Sequence, residues 1–112
     1  MTAGNEKVRL QIIDRVRCAE AIVEAQEATA ADGRWAMTAF SRYRLCELLE
    51  ILPYGAYNGS LDGDPVDLLI EAAETVDQLE VPIEDLSWRL ALGDALRTAA
   101  ADIRVVRDAR DV

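Results

Sequence analysis

The turn-forming residues of this sequence are concentrated at three places, and they divide the chain into four segments of helical length. These places are Asp32-Gly33, the stretch 53–64 with one proline and three glycines, and Val81-Pro82. Proline lacks an amide donor and glycine loses the most conformational freedom on folding, so both interrupt helices. We therefore expect four helices in the order long, short, short, long, over residues of about 5–31, 34–52, 65–80 and 82–110.

Two of these segments carry a stripe of mostly apolar residues at the three- and four-residue steps of a helix that buries one side. The stripes are Ile12, Val16, Ala19, Val23, Gln26 and Ala30 in the first segment, and Trp88, Leu92, Leu96, Ala99, Ile103 and Val106 in the last. The second segment is apolar on nearly every side, which is typical of a helix at the centre of a core. The sequence thus predicts an all-α, four-helix bundle-like single domain over residues 1–112, with a crossover loop at about 53–64.

Four residues mark where these helices should begin or end. Asn5 and Asp64 have side-chain oxygens that can accept hydrogen bonds from the free amides of a first helical turn. Pro65 suits the first helical position, where its missing amide hydrogen is no loss. Gly33 suits the left-handed conformation that often follows the end of a helix.

The net charge of −9 is carried by the middle of the chain. Residues 47–87 hold eleven of the 21 acidic residues and none of the 12 lysines and arginines. Such a segment repels phosphate, which disfavours direct binding to nucleic acid. It would instead attract a basic surface on a partner protein. Our leading hypothesis is a non-enzymatic interaction or regulatory module, of which an inhibitor or a nucleic-acid mimic would be one form.

The residues expected to meet this partner lie in the crossover loop and on one side of the third helix. Tyr54 and Tyr57, in a glycine-rich loop, would be the apolar anchors, although packing over the end of the bundle explains them equally well. Asp67, Glu71 and Glu74 follow one another at steps of four and three, so they share a helical face. The candidate partner-binding set is Tyr54, Tyr57, Asp62, Asp64, Asp67, Glu71 and Glu74.

One acid of the third helix should differ from the others. Asp77 falls between Ile70 and Ala73 on the side expected to be buried, and a buried carboxylate needs a partner. We expect it to form a salt bridge with Arg42 or Arg97.

Two carboxylate pairs suggest a different function. Glu47 and Glu50, then Glu74 and Asp77, give the pattern E-x-x-E, 23 residues, E-x-x-D. This spacing resembles the metal-binding signature of the MazG-like all-α nucleoside triphosphate pyrophosphatases. The resemblance implies Mg²⁺ held by these four side chains between two helices, and facing carboxylates are the oxygen ligands that Mg²⁺ prefers. A magnesium site of this kind requires the four carboxylates to converge. If the protein does not have such a site, we expect no cofactor.

The segment 34–44 mixes three arginines with Trp35, Phe40 and Tyr43, a composition found at binding surfaces. We expect instead that Phe40 and Tyr43 belong to the core and that the arginines pair with acids of the third helix.

The chain has no histidine, and Cys18 and Cys46 stand outside any paired-cysteine motif. We expect both thiols to be reduced and partly buried, in a cytoplasmic protein without a secretory signal or a membrane span. The short inner helices cannot cover the long outer ones, so the overhanging ends should pack on each other, on the loop, or on a second copy. A homodimer, or a purely structural homo-oligomeric subunit, therefore stays open.

Overall fold

The computed structural model describes residues 3–30, 33–53, 55 and 57–109. Within them the chain forms four α-helices, which are α1 (Ala3–Thr29), α2 (Ala39–Leu49), α3 (Pro65–Asp77) and α4 (Leu86–Ala109). Short 3-10 turns at Arg34–Thr38 and Ile83–Asp85 lead into α2 and α4. The predicted all-α, four-helix bundle-like fold and its order of long and short helices are therefore confirmed.

The helices occupy the corners of a bundle in which α3 packs against both α1 and α4, and α2 packs against α4 and, less closely, α1. Among the described residues, no Cα atom of α1 lies within 8 Å of one in α4, nor one of α2 within 8 Å of one in α3, so these pairs lie on the diagonals. This placement matters for the sites below, because the outer faces of α2 and α3 point in different directions.

Side-chain contacts near the helix ends show the direction of each helix. Arg9 of α1 donates to the carbonyl of Leu49 at the end of α2 (2.7 Å), so α1 and α2 are antiparallel. Arg107, near the end of α4, pairs with Asp64 at the start of α3 (3.0 Å), so these helices are antiparallel too. Val8, near the start of α1, lies beside Thr75 and Gln78 at the end of α3, and Ile22, late in α1, lies near Gly63 just before α3, so that pair is antiparallel as well. Hence α1 and α4 run one way, and α2 and α3 run the other.

The crossover between α2 and α3 has to return along the bundle because these two helices are parallel. It does so against α1, where the Cys18 thiol donates to the carbonyl of Ser60 at 3.5 Å. A β-carbon at Gly55 would clash with Nη1 of Arg17, so glycine lets the guanidinium lie against the loop backbone. The loop thus packs on the long first helix, which is one of the arrangements expected from the sequence.

The core is built from the predicted stripes. Nearly all of their apolar residues are buried, while Gln26, Ala30 and Trp88 are half-buried. α3 adds a third apolar side, consisting of Val66, Leu69, Ala72, Ala73 and Val76.

α2 is shorter and less central than the sequence predicted. Its expected first turns, Arg34–Thr38, are 3-10 rather than α-helical, and it ends at Leu49 because Glu50 adopts the left-handed conformation (φ 58°). Phe40 is 87% exposed and Leu52 is 79% exposed. The prediction of a helix at the centre of the core was therefore wrong, because α2 occupies a corner and only one of its sides is covered.

The predicted helix ends are largely correct. Asp64 caps α3 by accepting from the amides of Val66 (2.8 Å) and Asp67 (3.4 Å), with Pro65 at the first position. Gly33 adopts the left-handed conformation (φ 68°). Asn5, however, lies inside α1, which begins at Ala3.

Candidate functional site

The exposed side of α3 is a narrow row of carboxylates. Asp67, Glu71 and Glu74 are exposed on successive turns, because the buried residues of α3 lie on the opposite side against α1 and α4. At 1.5 Å per residue their Cα atoms rise by about 6 Å and then about 4.5 Å along the helix. We call these three residues the acidic row.

Arginines from both long helices reach the edges of α3, although α3 carries no base of its own. Arg15 of α1 lies 3.9 Å from Glu71 and donates to the hydroxyl of Thr75 at 3.3 Å. On the other side, Arg97 of α4 pairs with Asp77. The protein therefore neutralises part of the charge that the sequence suggested was uncompensated.

Asp77 is paired as predicted but is not buried. Its side chain is 53% exposed, and its partner is Arg97, one of the two expected. The hydrogen bond that Arg97 donates to Asp77 raises the pKa of Arg97, and the charges of Asp77, Glu74 and Asp94 add to this effect. Arg42, the other expected partner, lies on α2, at the corner diagonal to α3.

The acidic row keeps most of its charge unmatched. Within the described part of the chain, the carboxylates of Asp67 and Glu74 form no hydrogen bond or ion pair. The contact between Glu71 and Arg15 is long, and both side chains are well exposed, at 59% and 38%. Exposed pairs of this kind contribute about 0–1 kcal/mol. The acidic row is thus narrower than the predicted acidic middle, but it remains negative.

Asp64 has a structural role. It caps α3 and pairs with Arg107, so both of its oxygens are engaged. Partial burial raises the pKa of Asp64, but the amides of Val66 and Asp67 and the guanidinium of Arg107 outweigh this and hold the pKa below its ordinary value.

The loop residues of the candidate set are held by the loop itself. Tyr57 is half-buried and its hydroxyl donates to the carbonyl of Ser60 at 3.2 Å. A hydrogen bond with Cys18, with smaller effects of burial and of Asp14, raises the pKa of Tyr57 to about 12. Asp62 is exposed and accepts from the Ser60 hydroxyl at 2.8 Å. Tyr57 is thus held within the loop, beside Cys18 of α1, and Tyr54 lies outside the described residues.

The four carboxylates of the predicted magnesium site do not converge. Glu47 and Glu50 lie on and just after α2, whereas Glu74 and Asp77 lie on α3 at the diagonal corner. Across the described residues, no three Asp, Glu or Cys side chains are placed so that they could hold a metal ion. The convergence that the MazG-like resemblance requires is therefore not met, because the spacing of two pairs along the chain does not determine which helices become neighbours.

A polar interface between α1 and α2 was not predicted from the sequence. Arg42 is only 2% exposed and bonds Glu27 (3.3 Å) and the hydroxyl of Thr38 (3.0 Å). The buried Glu20 accepts from the Cys46 thiol at 2.9 Å. Burial, followed by this hydrogen bond, raises the pKa of Cys46 to about 12, so the thiol is not an activated nucleophile.

A signal for this interface was present in the sequence. Glu20, Glu24 and Glu27 follow one another at steps of four and three, so they share one side of α1. Burial, with repulsion from Glu20 and Glu27, raises the pKa of Glu24, although Arg42 counteracts it. The three glutamates lie beside the apolar stripe of α1, and because they are charged, apolar periodicity alone does not indicate that this side of α1 is covered.

A second exposed surface lies between α2 and α4. Phe40, Ser41 and Arg44 of α2 line a groove of about 220 Å³ whose other wall is Asp94, Ala95, Thr98 and Asp102 of α4. Phe40 stands out of this groove, and Tyr43 is 43% exposed. The expectation that both rings belong to the core was wrong, because no helix of the described residues covers this side of α2.

Comparison with protein-family models, curated proteins and solved structures gives no match for this chain. None of the helices in the described segments has both the length and the apolar content needed to cross a bilayer. What the protein does is therefore inferred from its own surfaces.

Proposed function

We propose that this protein is a non-enzymatic, cytoplasmic interaction module, and that the acidic row binds the basic surface of a partner protein. The observation that carries the proposal is Glu74, an exposed carboxylate with no ion pair among the described residues. The two free cysteines fit a reducing compartment.

The acidic row does little for the stability of the fold. Neighbouring like charges at these spacings cost about 0.2–0.5 kcal/mol per pair. Asp67 is partly compensated, because it lies in the first turn of α3, near the positive end of the helix dipole. The dipole does not compensate Glu74, which lies in the last turn, where the dipole is negative; the charge of Arg97 acts on Glu74, but the two side chains form no ion pair. A cationic partner would offset the repulsion between these carboxylates with attraction between opposite charges.

The flanking arginines restrict what kind of partner fits. Arg15 on one side and Arg97 on the other place positive charge at both edges of the acidic row. A complementary surface therefore carries a single line of lysines or arginines, about as long as two helical turns, rather than a broad basic field. Such complementarity speeds association and makes it sensitive to salt.

The partner is captured from the native host with the unaltered protein. Its affinity is then compared between two variants of equal charge. In the first, Asp67→Asn, Glu71→Gln and Glu74→Gln neutralise the acidic row. In the matched control, Glu6→Gln, Glu47→Gln and Glu84→Gln remove three exposed charges away from α3. We expect the first variant to bind the captured partner at least about tenfold more weakly, or about 1.4 kcal/mol, and the control to be unchanged.

Salt dependence gives the second measurement. The affinity of the unaltered protein for that partner should fall as salt is raised, because a row of charges is being screened. Equal affinities for the neutralised variant and the control, or an affinity independent of salt, would contradict the proposal.

A further inference from the structure

The groove between α2 and α4 has an apolar rim that the fold leaves uncovered. This rim is Phe40, which lines the groove and is 87% exposed. Burying a phenylalanine side chain is worth about 1.5–3 kcal/mol, and the isolated chain does not gain this. Exposed apolar side chains bordered by polar ones are typical of protein interfaces.

The charged residues of the groove are of both signs. Arg44 of α2 stands on one side, and Asp94 and Asp102 of α4 stand on the other. None of the three forms a hydrogen bond or ion pair with any other described residue. A basic partner would bring cations toward Arg44, and a nucleic acid would bring phosphates toward the two aspartates. On a second copy, the same groove presents aspartates to Arg44 and an arginine to Asp94 and Asp102.

A twofold axis makes such a surface complementary to itself. In a twofold dimer, each contact between one residue of the first copy and another residue of the second occurs twice. The pairing of Arg44 with an aspartate across the axis would therefore form two ion pairs. The groove can also hold the ring, since a cavity of about 150 Å³ accommodates benzene and this one measures about 220 Å³.

We propose that this protein forms a twofold homodimer through the α2–α4 groove. Phe40 of each copy fills the groove of the other, and Arg44 of each copy pairs with Asp94 or Asp102 across the axis. This surface is separate from the acidic row, because α2 and α3 occupy diagonal corners of the bundle. Neutralising the acidic row should accordingly leave the dimer intact, which separates a failure of this proposal from a failure of the proposed function.

The first test measures mass in solution by sedimentation equilibrium over micromolar to millimolar concentrations. The full chain should reach twice its monomer mass. Phe40→Ala should raise the dissociation constant about a hundredfold or more, since two rings are lost per dimer. Ile83→Ala is the matched control, because Ile83 is also a large apolar residue at 84% exposure but lies outside the groove. Phe40 and Ile83 are both so exposed that neither change should lower the melting temperature appreciably.

The second test exchanges charges across the axis. Arg44→Asp alone, and the Asp94→Arg/Asp102→Arg double variant alone, should each be monomeric because like charges would face each other. An equimolar mixture of the two should form a heterodimer, since both of its cross-axis pairs are then of opposite sign. A monomeric unaltered protein at millimolar concentration, a dimer unaffected by Phe40→Ala, or a mixture that stays monomeric would each overturn the proposal.

Discussion

Removing the buried guanidinium of Arg42 tests whether the polar interface between α1 and α2 holds the bundle together. Arg42 bonds Glu27 and Thr38, and its charge also acts on Glu24. In Arg42→Met the aliphatic part of the side chain is kept, but the only buried charge on α2 is lost. The neighbouring glutamates of α1 then repel one another without the positive charge of Arg42.

The expected loss follows from how far each partner is buried. Breaking a fully buried ion pair costs about 3–5 kcal/mol, because the remaining charge is left without compensation. Here Arg42 is 2% exposed but Glu27 is 39% exposed, so water can still solvate the glutamate. We therefore expect Arg42→Met to lower the free energy of unfolding by about 2 kcal/mol.

Urea unfolding followed by circular dichroism measures this loss. Adding Glu24→Gln and Glu27→Gln to Arg42→Met should restore part of the stability, since replacing all members of a buried charge network is often close to neutral. Burial already raises the pKa of Glu24, and losing Arg42 raises it further. A carboxyl with a raised pKa in the folded state binds protons more tightly there, so Arg42→Met should regain stability as the pH falls from 7 toward 5. A loss below about 0.5 kcal/mol, with no gain at acidic pH, would refute this account.

Two further predictions concern helix ends. Asp64→Ala should cost about 1 kcal/mol in urea unfolding, whereas Asp64→Asn should keep the cap; equal losses would show that the ion pair with Arg107 dominates. The folded state holds the pKa of Asp64 below its ordinary value of 3.8. The ionised carboxylate therefore contributes stability above that pH, and this contribution is lost as the pH falls and the carboxylate is protonated. Asp64→Asn should lack this pH dependence. Glu50→Gly should stabilise the protein by about 0.5–1 kcal/mol, because Glu50 ends α2 in the left-handed conformation and its side chain, 85% exposed, gains little from Arg9. A lower urea midpoint for Glu50→Gly would count against that explanation.

Signals confined to one stretch of chain predicted the fold well. The stripe through Ile12 and Val16, the capped start at Asp64-Pro65 and the break at Gly33 depend only on a residue and its near neighbours. The end of α2 at Leu49 was harder to predict, because the apolar run continues to Leu52 without a breaker. A helical wheel shows which residues are apolar, but it does not show which of them another helix covers, and Phe40 was misplaced for that reason.

The site was predicted less completely because it depends on which helices are neighbours. The exposed positions of Asp67, Glu71 and Glu74 follow from local periodicity. Their neighbours Arg15 and Arg97 come from helices far away in the chain, and only the packing order brings them there. The same order places Arg42 beside Glu27 rather than Asp77.

The parallel course of α2 and α3, on opposite corners, has a consequence for assembly. A molecule seated on one of these helices does not obstruct the other, so both surfaces can be occupied at once. Two copies joined through α2 and α4 would carry their α3 helices at the outside of the pair. Such a dimer would bind a partner that carries two lines of basic residues at both of them. Once the first line is bound, the second binds at a high local concentration. It would equally tether two separate partner molecules to each other.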